Sequence, residues 1–264
     1  MDAPVIEAKG LNLVFETADG PVQALRDVNL TVARGDFVSF IGPSGCGKTT
    51  FLRVAADLES PSSGSLLVNG MSPGEARASR AYGYVFQAAG LFPWRTIAGN
   101  VRLPLQIMGY GRAEQAARVA RVLEMVELGG FERKYPWQLS GGMQQRASIA
   151  RALAFDADLL LMDEPFGALD EITRNRLDDE LLRLRRERNL TVLFVTHSIH
   201  EAVYLSDRVI VMAARPGRVV DEIAVKPGIA RNDAFRVSTE FAAIAKRLQD
   251  ALLAASRTAD EALA

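Results

Sequence analysis

The stretch Phe37 to Thr50, FVSFI followed by GPSGCGKTT, constrains the fold more than any other part of the chain. FVSFI (Phe37 to Ile41) is a near-continuous apolar run, the pattern of a strand buried on both faces in a parallel sheet. The run that follows matches G-x-x-x-x-G-K-[ST] and stands between that strand and a helix expected from about Lys48 to before Ser60. Its glycines let successive backbone N–H groups turn inward as an anion nest, and the helix N-terminus adds partial positive charge. Gly42, Pro43, Ser44, Gly45, Cys46, Gly47, Lys48, Thr49 and Thr50 thus form a phosphate cradle. Lys48 is expected to bridge the β- and γ-phosphates of ATP and Thr49 to hold Mg²⁺. Cys46 reads as a bystander on the loop.

The rest of the chain supports an α/β layered fold with a largely parallel sheet. Before the cradle, VIEAKGLNLVF, VQAL and VNLTV alternate apolar and polar residues as three strands, with turns at Asp19-Gly20-Pro21 and Arg34-Gly35-Asp36. After it, SLLVNG and YGYVF read as strands. From about Ala88 the spacing becomes helical, so residues 88 to 155 are expected as a mostly helical insertion, with Gly109 to Gly111 and Gly129-Gly130 as stops. Strands return at Leu159 to Met162, Val192 to Thr196 and Val209 to Met212, with a helix from about Glu171 to Arg188 between the first two. The expected organisation is one nucleotide-binding domain over 1–225 and a C-terminal helical tail over 226–264, helical at 235 to 255.

Four further features carry chemistry. LLLMDE (Leu159 to Glu164) is a buried strand that emerges with two acids at the carboxyl edge of the sheet, where open α/β sheets bind ligands. Asp163 is expected to bind Mg²⁺ directly or through water, and Glu164 to act as general base on the attacking water. Read alone, the pair is equally a capped strand end; Lys48 and Thr49 favour the catalytic reading. Gln87 closes YGYVF at the border of the helical insertion and is a candidate sensor of the metal or of the γ-phosphate. His197 ends TVLFVT and is a candidate partner for a γ-phosphate oxygen, although a lone His at a strand end is often structural. His200 is expected to be a solvated helix residue.

LSGGMQQR (Leu139 to Arg146) places Ser140 as N-cap of a helix from Gly141 to about Phe155, whose first N–H groups offer a second anion site. Two half-sites on opposite edges of one chain suggest a head-to-tail homodimer. In it Ser140, Gly141 and Gly142 of one subunit face the γ-phosphate held by the other's Lys48, with two ATP molecules sandwiched. Asp170, in the turn GALD, is expected near that shared interface.

Bulk composition bounds the reading. Lys and Arg total 31 against 32 Asp and Glu, a net charge of -1, which gives no basic footprint for nucleic acid beyond a small local patch. One cysteine forms no internal disulfide, which fits a reducing compartment. The N-terminal MDAPVIEAKG has no basic flank or apolar signal core, and no apolar run approaches the ~20 residues of a bilayer span. A cytoplasmic protein that meets a membrane only through a partner is therefore expected.

Taken in order, these residues resemble the ATP-binding subunits of ABC transporters over about residues 5 to 225. The matching motifs are Walker A from Gly42 to Thr49, the Q-loop Gln87, the signature from Leu139 to Gln144, Walker B from Leu159 to Asp163, the catalytic Glu164, the D-loop from Ala168 to Asp170 and the switch His197. The resemblance implies a P-loop NTPase with a RecA-like core, an antiparallel β subdomain and a helical subdomain. It implies an aromatic residue from the first strands stacked on adenine; Phe15 is the candidate by position, and an aromatic there is equally a core residue. Finer features, LFPWRT (Leu91 to Thr96), HSIHEAVYLSDRVIVM and ARPGRVV (Ala214 to Val220), resemble the nitrate/sulfonate/taurine branch of importers. Gly99 and Trp137 depart from it, standing where relatives often carry Glu and His.

The resemblance further implies ATP hydrolysis at the cytoplasmic face of the cell (inner) membrane, coupled to uptake through two separate transmembrane permease subunits. A periplasmic or extracellular solute-binding protein is an indirect partner. The cluster Phe92, Pro93 and Trp94 suits either helical packing or a groove for a permease helix. Three rivals are a soluble ABC-type ATPase acting on ribosomes or DNA, an exporter cassette, and a non-hydrolysing structural ATP binder, against which Glu164 together with His197 argues. One cassette, no coiled coil and a net charge of -1 count against the first; the absence of fused membrane segments counts against the second.

Overall fold

The computed structural model describes residues 3–225 and 229–261. In chain order its strands and helices are β1 (Ile6–Thr17), β2 (Gly20–Val32), β3 (Phe37–Ile41), α1 (Lys48–Ala55), β4 (Ser63–Val68), α2 (Pro73–Ala78), β5 (Tyr82–Val85), α3 (Ile97–Ile107), α4 (Arg112–Met125) and α5 (Gly141–Leu153). There follow β6 (Leu159–Asp163), α6 (Glu171–Arg188), β7 (Thr191–Val195), α7 (Ile199–Leu205), β8 (Arg208–Ala213), β9 (Arg218–Ala224), α8 (Asp233–Arg236) and α9 (Thr239–Glu261).

The main sheet has the order β5-β6-β7-β3-β8-β9, parallel except for β9, which runs antiparallel to β8. A second, antiparallel sheet has the order β2-β1-β4. Every residue of β3, β6 and β7 is buried, because each strand feeds two cores. Phe37 and Ile41 pack with the helices, whereas Val38 and Phe40 pack into a core shared with α1 and the second sheet. Apolar side chains on both faces leave no polar alternation, hence the continuous apolar runs.

Several elements differ from the sequence expectation. VQAL and VNLTV are one strand, β2: Asp27 takes a left-handed backbone (φ 45°), its N–H is met by the Asn12 side chain at 3.0 Å, and pairing with β1 carries through. The hairpin turn lies one residue earlier, at Ala18-Asp19. Helix α2 was not anticipated, although Ser72 and Glu75 cap it reciprocally and Pro73 starts it. Strand β9 was not anticipated either. The expected helix at 235 to 255 is two helices, α8 and α9, and of the expected tail, residues 226–228 and 262–264 lie outside the described residues. Phe235, Phe241 and Leu248 are buried in the helix-side core, so this segment packs against the body of the molecule.

Because β6, β7 and β3 are neighbours and parallel, the segments after their carboxyl ends emerge side by side. These segments are the glycine-rich loop, Asp163-Glu164 and Thr196-His197.

Candidate active site

Helix α1 opens on Gly47 with no side-chain cap and no acid in its first turn. By contrast, Thr96, Ser140, Asp170 and Ser198 each cap their helices through a side chain. The first-turn N–H groups of α1, which helix geometry leaves unpaired, thus meet no side-chain acceptor and are open to an anion. Gly47 has φ +90°, and a Cβ there would lie 2.6 Å from Leu25 Cδ2, so only glycine fits. Behind the loop sits Gly217 of the ARPG turn: a Cβ on it would meet the Cys46 carbonyl at 2.4 Å, and its amide donates to Ala24 O at 3.2 Å. Nothing local to the ARPG run marks Gly217 for this support, which depends on the loop of a distant segment.

Lys48 is buried over the loop, its ammonium donating to Gly42 O (2.8 Å) and Pro43 O (3.2 Å) and lying 3.5 Å from Cys46 Sγ. Cys46 is fully buried, which pushes its thiol pKa up. The Thr49 hydroxyl donates to Asp163 Oδ1 at 2.9 Å. Burial pushes the Asp163 carboxyl above its ordinary range, against the lowering effect of Thr49. A hydroxyl and a carboxylate are the hard oxygen donors that suit Mg²⁺, which keeps waters and takes phosphate oxygens as further ligands. Among the described residues no group of three or more His, Cys, Asp and Glu is placed to hold a metal.

Directly after β6, Glu164 adopts a left-handed backbone (φ 46°), held by its N–H donating to Val195 O at 2.9 Å. A non-glycine residue there is uncommon and marks a constrained site. The turn aims its carboxylate at two side chains that follow different strands, Gln87 after β5 and His197 after β7. Gln87 Nε2 donates to Glu164 Oε2 at 3.3 Å, and His197 Nδ1 lies 3.4 Å from the same oxygen. His197 is exposed and Glu164 partly buried. Gln87 therefore contacts the glutamate, and it hydrogen-bonds neither Thr49 nor Asp163. His200 is exposed, with its ring 5.4 Å from Phe241.

Ser140 caps α5, accepting from Met143 N at 3.3 Å; Ser140 and Gly141 are exposed. A Cβ on Gly142 would stand 3.2 Å from Leu169 Cδ2, so the start of α5 rests on the GALD turn of its own chain. Asp170 caps α6, one oxygen accepting from Thr173 N (2.9 Å) and the other from its hydroxyl (2.8 Å). Phe15 is half-buried on β1, opposite Val22, and packs on the core shared by the sheets. The LFPW segment is held by buried Asn100, which accepts from Phe92 N at 2.7 Å and donates to Phe92, Arg95 and Thr96 carbonyls. Trp94 (70% exposed) packs on Phe92, and Trp137 (65% exposed) stacks on Tyr135. No helix among the described residues is long and apolar enough to cross a membrane.

A family model described as ABC transporter matches residues 25–167. An uncharacterised ABC transporter ATP-binding protein of Methanocaldococcus jannaschii is 45% identical over 247 residues, 94% of this chain and 91% of its own. The aliphatic sulfonates import ATP-binding protein SsuB of Bacillus cereus is 42% identical over 205 residues, 78% of this chain and 80% of that one. Among solved structures, the dimeric form of a bacterial ABC transporter cassette aligns with a TM-score of 0.77 at 36% identity, covering 84% of this chain and 99% of that one. A dimeric post-hydrolysis state bound to ADP and Pi aligns with the same score at 34% identity. With a phosphate cradle, an acid pair and a Gln–Glu–His cluster on one sheet edge, the chain belongs to the ABC transporter family, as an ATP-binding cassette that hydrolyses ATP.

Proposed function

We propose that this cassette is the ATP-hydrolysing subunit of an importer for a small solute of the aliphatic sulfonate, taurine or nitrate type. It works as a peripheral subunit at the cytoplasmic face of the cell membrane, on two permease subunits served by an external solute-binding protein. The observation that carries the hydrolytic part is the convergence of Gln87 and His197 on Glu164, beside Thr49 and Asp163. The solute class is supported by the 42% identity to a sulfonate import subunit.

In this reading the uncapped α1 N-terminus and Lys48 bind the ATP phosphates. Lys48 exchanges its loop carbonyls for phosphate oxygens. Thr49 and Asp163 would hold Mg²⁺, Asp163 directly or through water, with Gln87 as a sensor of the metal; the ion would neutralise charge on the phosphates. Glu164 accepts the proton of the attacking water, and His197 donates to a γ-phosphate oxygen. Phe15 contributes the adenine contact. Ser140, Gly141 and Gly142 complete the site of a second copy of the chain, with Asp170 at the shared interface. Residues 1–225, with the helical insertion 88–155, form the nucleotide-binding domain, and 226–264 an appended segment. The exposed pairs Phe92–Trp94 and Tyr135–Trp137 offer an apolar seat for a permease helix.

The test is purification of the tagged chain from gently solubilised membranes, with mass spectrometry of what accompanies it. A polytopic permease at one-to-one stoichiometry supports the reading; ribosomal proteins or nucleic acid alone would replace it with a soluble ABC ATPase. Deletion of the chain in its host should abolish growth on an alkanesulfonate or taurine as sole sulfur source, or on nitrate as sole nitrogen source. Unchanged growth on all three would remove the solute class.

A further inference from the structure

The loop that carries His197 is held from behind by residues that the hydrolytic reading does not use. Thr196 is 1% exposed, and its N–H donates to Phe40 O on β3 at 3.2 Å. Its hydroxyl grips both ends of the loop: it accepts from Ser198 N at 2.9 Å and donates to a carboxylate oxygen of Glu201. Ser198 is the N-cap of α7 and Glu201 the third residue of that helix. In a capping box such a glutamate swings back to the N-cap amide. Here Thr196 takes that amide, and the Glu201 carboxylate, 5% exposed, is directed inward.

The other Glu201 oxygen lies 3.2 Å from Nε of Arg174 on α6, an ion pair whose Nε–H is not aligned for a hydrogen bond. Arg174 in turn donates from Nη2 to the carbonyl of Leu169, in the GALD turn, at 2.9 Å. The Leu169 side chain is what Gly142 rests on, at the start of α5. Burial pushes the Glu201 carboxyl up, while Thr196 and Arg174 hold it down. A carboxylate this deep needs a nearby cation, and removing Arg174, itself 27% exposed, leaves Glu201 buried with only the Thr196 hydroxyl as partner.

We propose that Glu201 and Arg174 are a positioning pair for ATP turnover, locking the His197 loop to the GALD turn so that the two move as one piece. The proposal rests on the reading of Glu164 and His197 given above. With the lock in place, the His197 imidazole stays against Glu164, and the turn bearing Leu169 and Asp170 follows any shift of the His197 loop. Neither member of the pair hydrogen-bonds Lys48, Thr49 or Asp163, so its loss leaves the phosphate cradle intact. The pair thus acts on the rate of the chemical step and not on ATP binding.

The experiment is steady-state ATP hydrolysis by the full chain carrying Glu201→Gln, Arg174→Met, both together, or Thr196→Val, with Glu164→Gln and His197→Ala alongside. Each pair variant should lower kcat about tenfold or more, the scale on which a small misplacement acts. KM for ATP should stay within about twofold, and the double variant should be no worse than the poorer single, because partners in one network are not additive. Parent-level kcat in the pair variants, a rise in KM in place of the fall in kcat, or multiplying effects in the double would overturn the proposal. Should the pair variants not fold, Thr196→Val decides: it puts a methyl group in place of the hydroxyl that ties Glu201 to the His197 loop, so parent-level kcat in it is fatal. Parent-level turnover in Glu164→Gln and His197→Ala would sink the reading of the site itself. Loss of turnover in those two with unchanged pair variants would sink the positioning pair alone.

Discussion

At the scale of single residues, the two carboxylates at the end of β6 sit in different surroundings. Glu164 reaches Gln87 and His197 across a constrained turn, whereas Asp163 is buried against Thr49. Glu164→Gln should therefore bind ATP with the parent affinity, lose turnover by at least about a hundredfold, and accumulate an ATP-bound dimer visible by gel filtration; normal turnover removes Glu164 as base. Asp178 on α6 is a different case: 1% exposed, one oxygen without a partner, Arg236 3.6 Å away. Burial first, then the Glu201 charge, push its carboxyl well above the ordinary value, so the folded protein holds this proton longer than the unfolded chain does. Its contribution to stability is complete below the unfolded value and is lost as pH rises through the raised one. Asp178→Asn should raise the melting temperature relative to the parent at about pH 8 and lose that advantage toward about pH 4; an equal difference at both would contradict the assignment. These partners were not legible in the sequence, because Asp178, Glu201 and Arg236 come from three different helices.

At the scale of elements, legibility followed the strength of the local signal. β3, the loop and α1 were readable because an apolar run, glycines and a lysine agree over a short span. α6 was readable from its helical spacing, and its ends at Glu171 and Arg188 are sealed by Asp170 and by Asn189 in the left-handed conformation. β9 was not, since RVVDEIA is an edge strand with only Ile223 buried, and only its pairing with β8 makes it a strand. α2 is six residues long and makes little core contact beyond Ala76. The packing of α1 is testable. Phe51 is fully buried, its ring 5.1 Å from that of Phe40. Phe51→Ala should cost about 3–5 kcal/mol in urea unfolding, the range for a buried phenylalanine; a loss under about 1 kcal/mol would mean that other contacts hold the helix that carries Lys48 and Thr49.

At the scale of the whole molecule, the chain carries one cluster around Lys48 and Glu164 and another around Ser140 and Asp170, joined through Arg174 and Leu169. The related cassettes are dimeric. Ser140→Arg should bind ATP but remain monomeric and inactive. Mixing it with Lys48→Ala subunits should restore part of the activity through one intact composite site, and a mixture as dead as either parent would count against shared sites. The sequence by itself determined the parallel core, the phosphate cradle and the identity of nearly every candidate group at the sheet edge. Those signals are local: residue type, spacing and the emergence of a buried strand fix them without knowledge of the fold. Only the tertiary structure decided that Gln87 meets Glu164, that Gly217 backs the cradle, that Asp170 spends its carboxylate on Thr173, and that the buried Glu201 meets the half-buried Arg174 behind His197. Each of these is a contact between segments distant in the chain or a choice among competing partners. Such choices are settled by the order of strands in the sheet and by the cost of leaving a buried polar group unpaired.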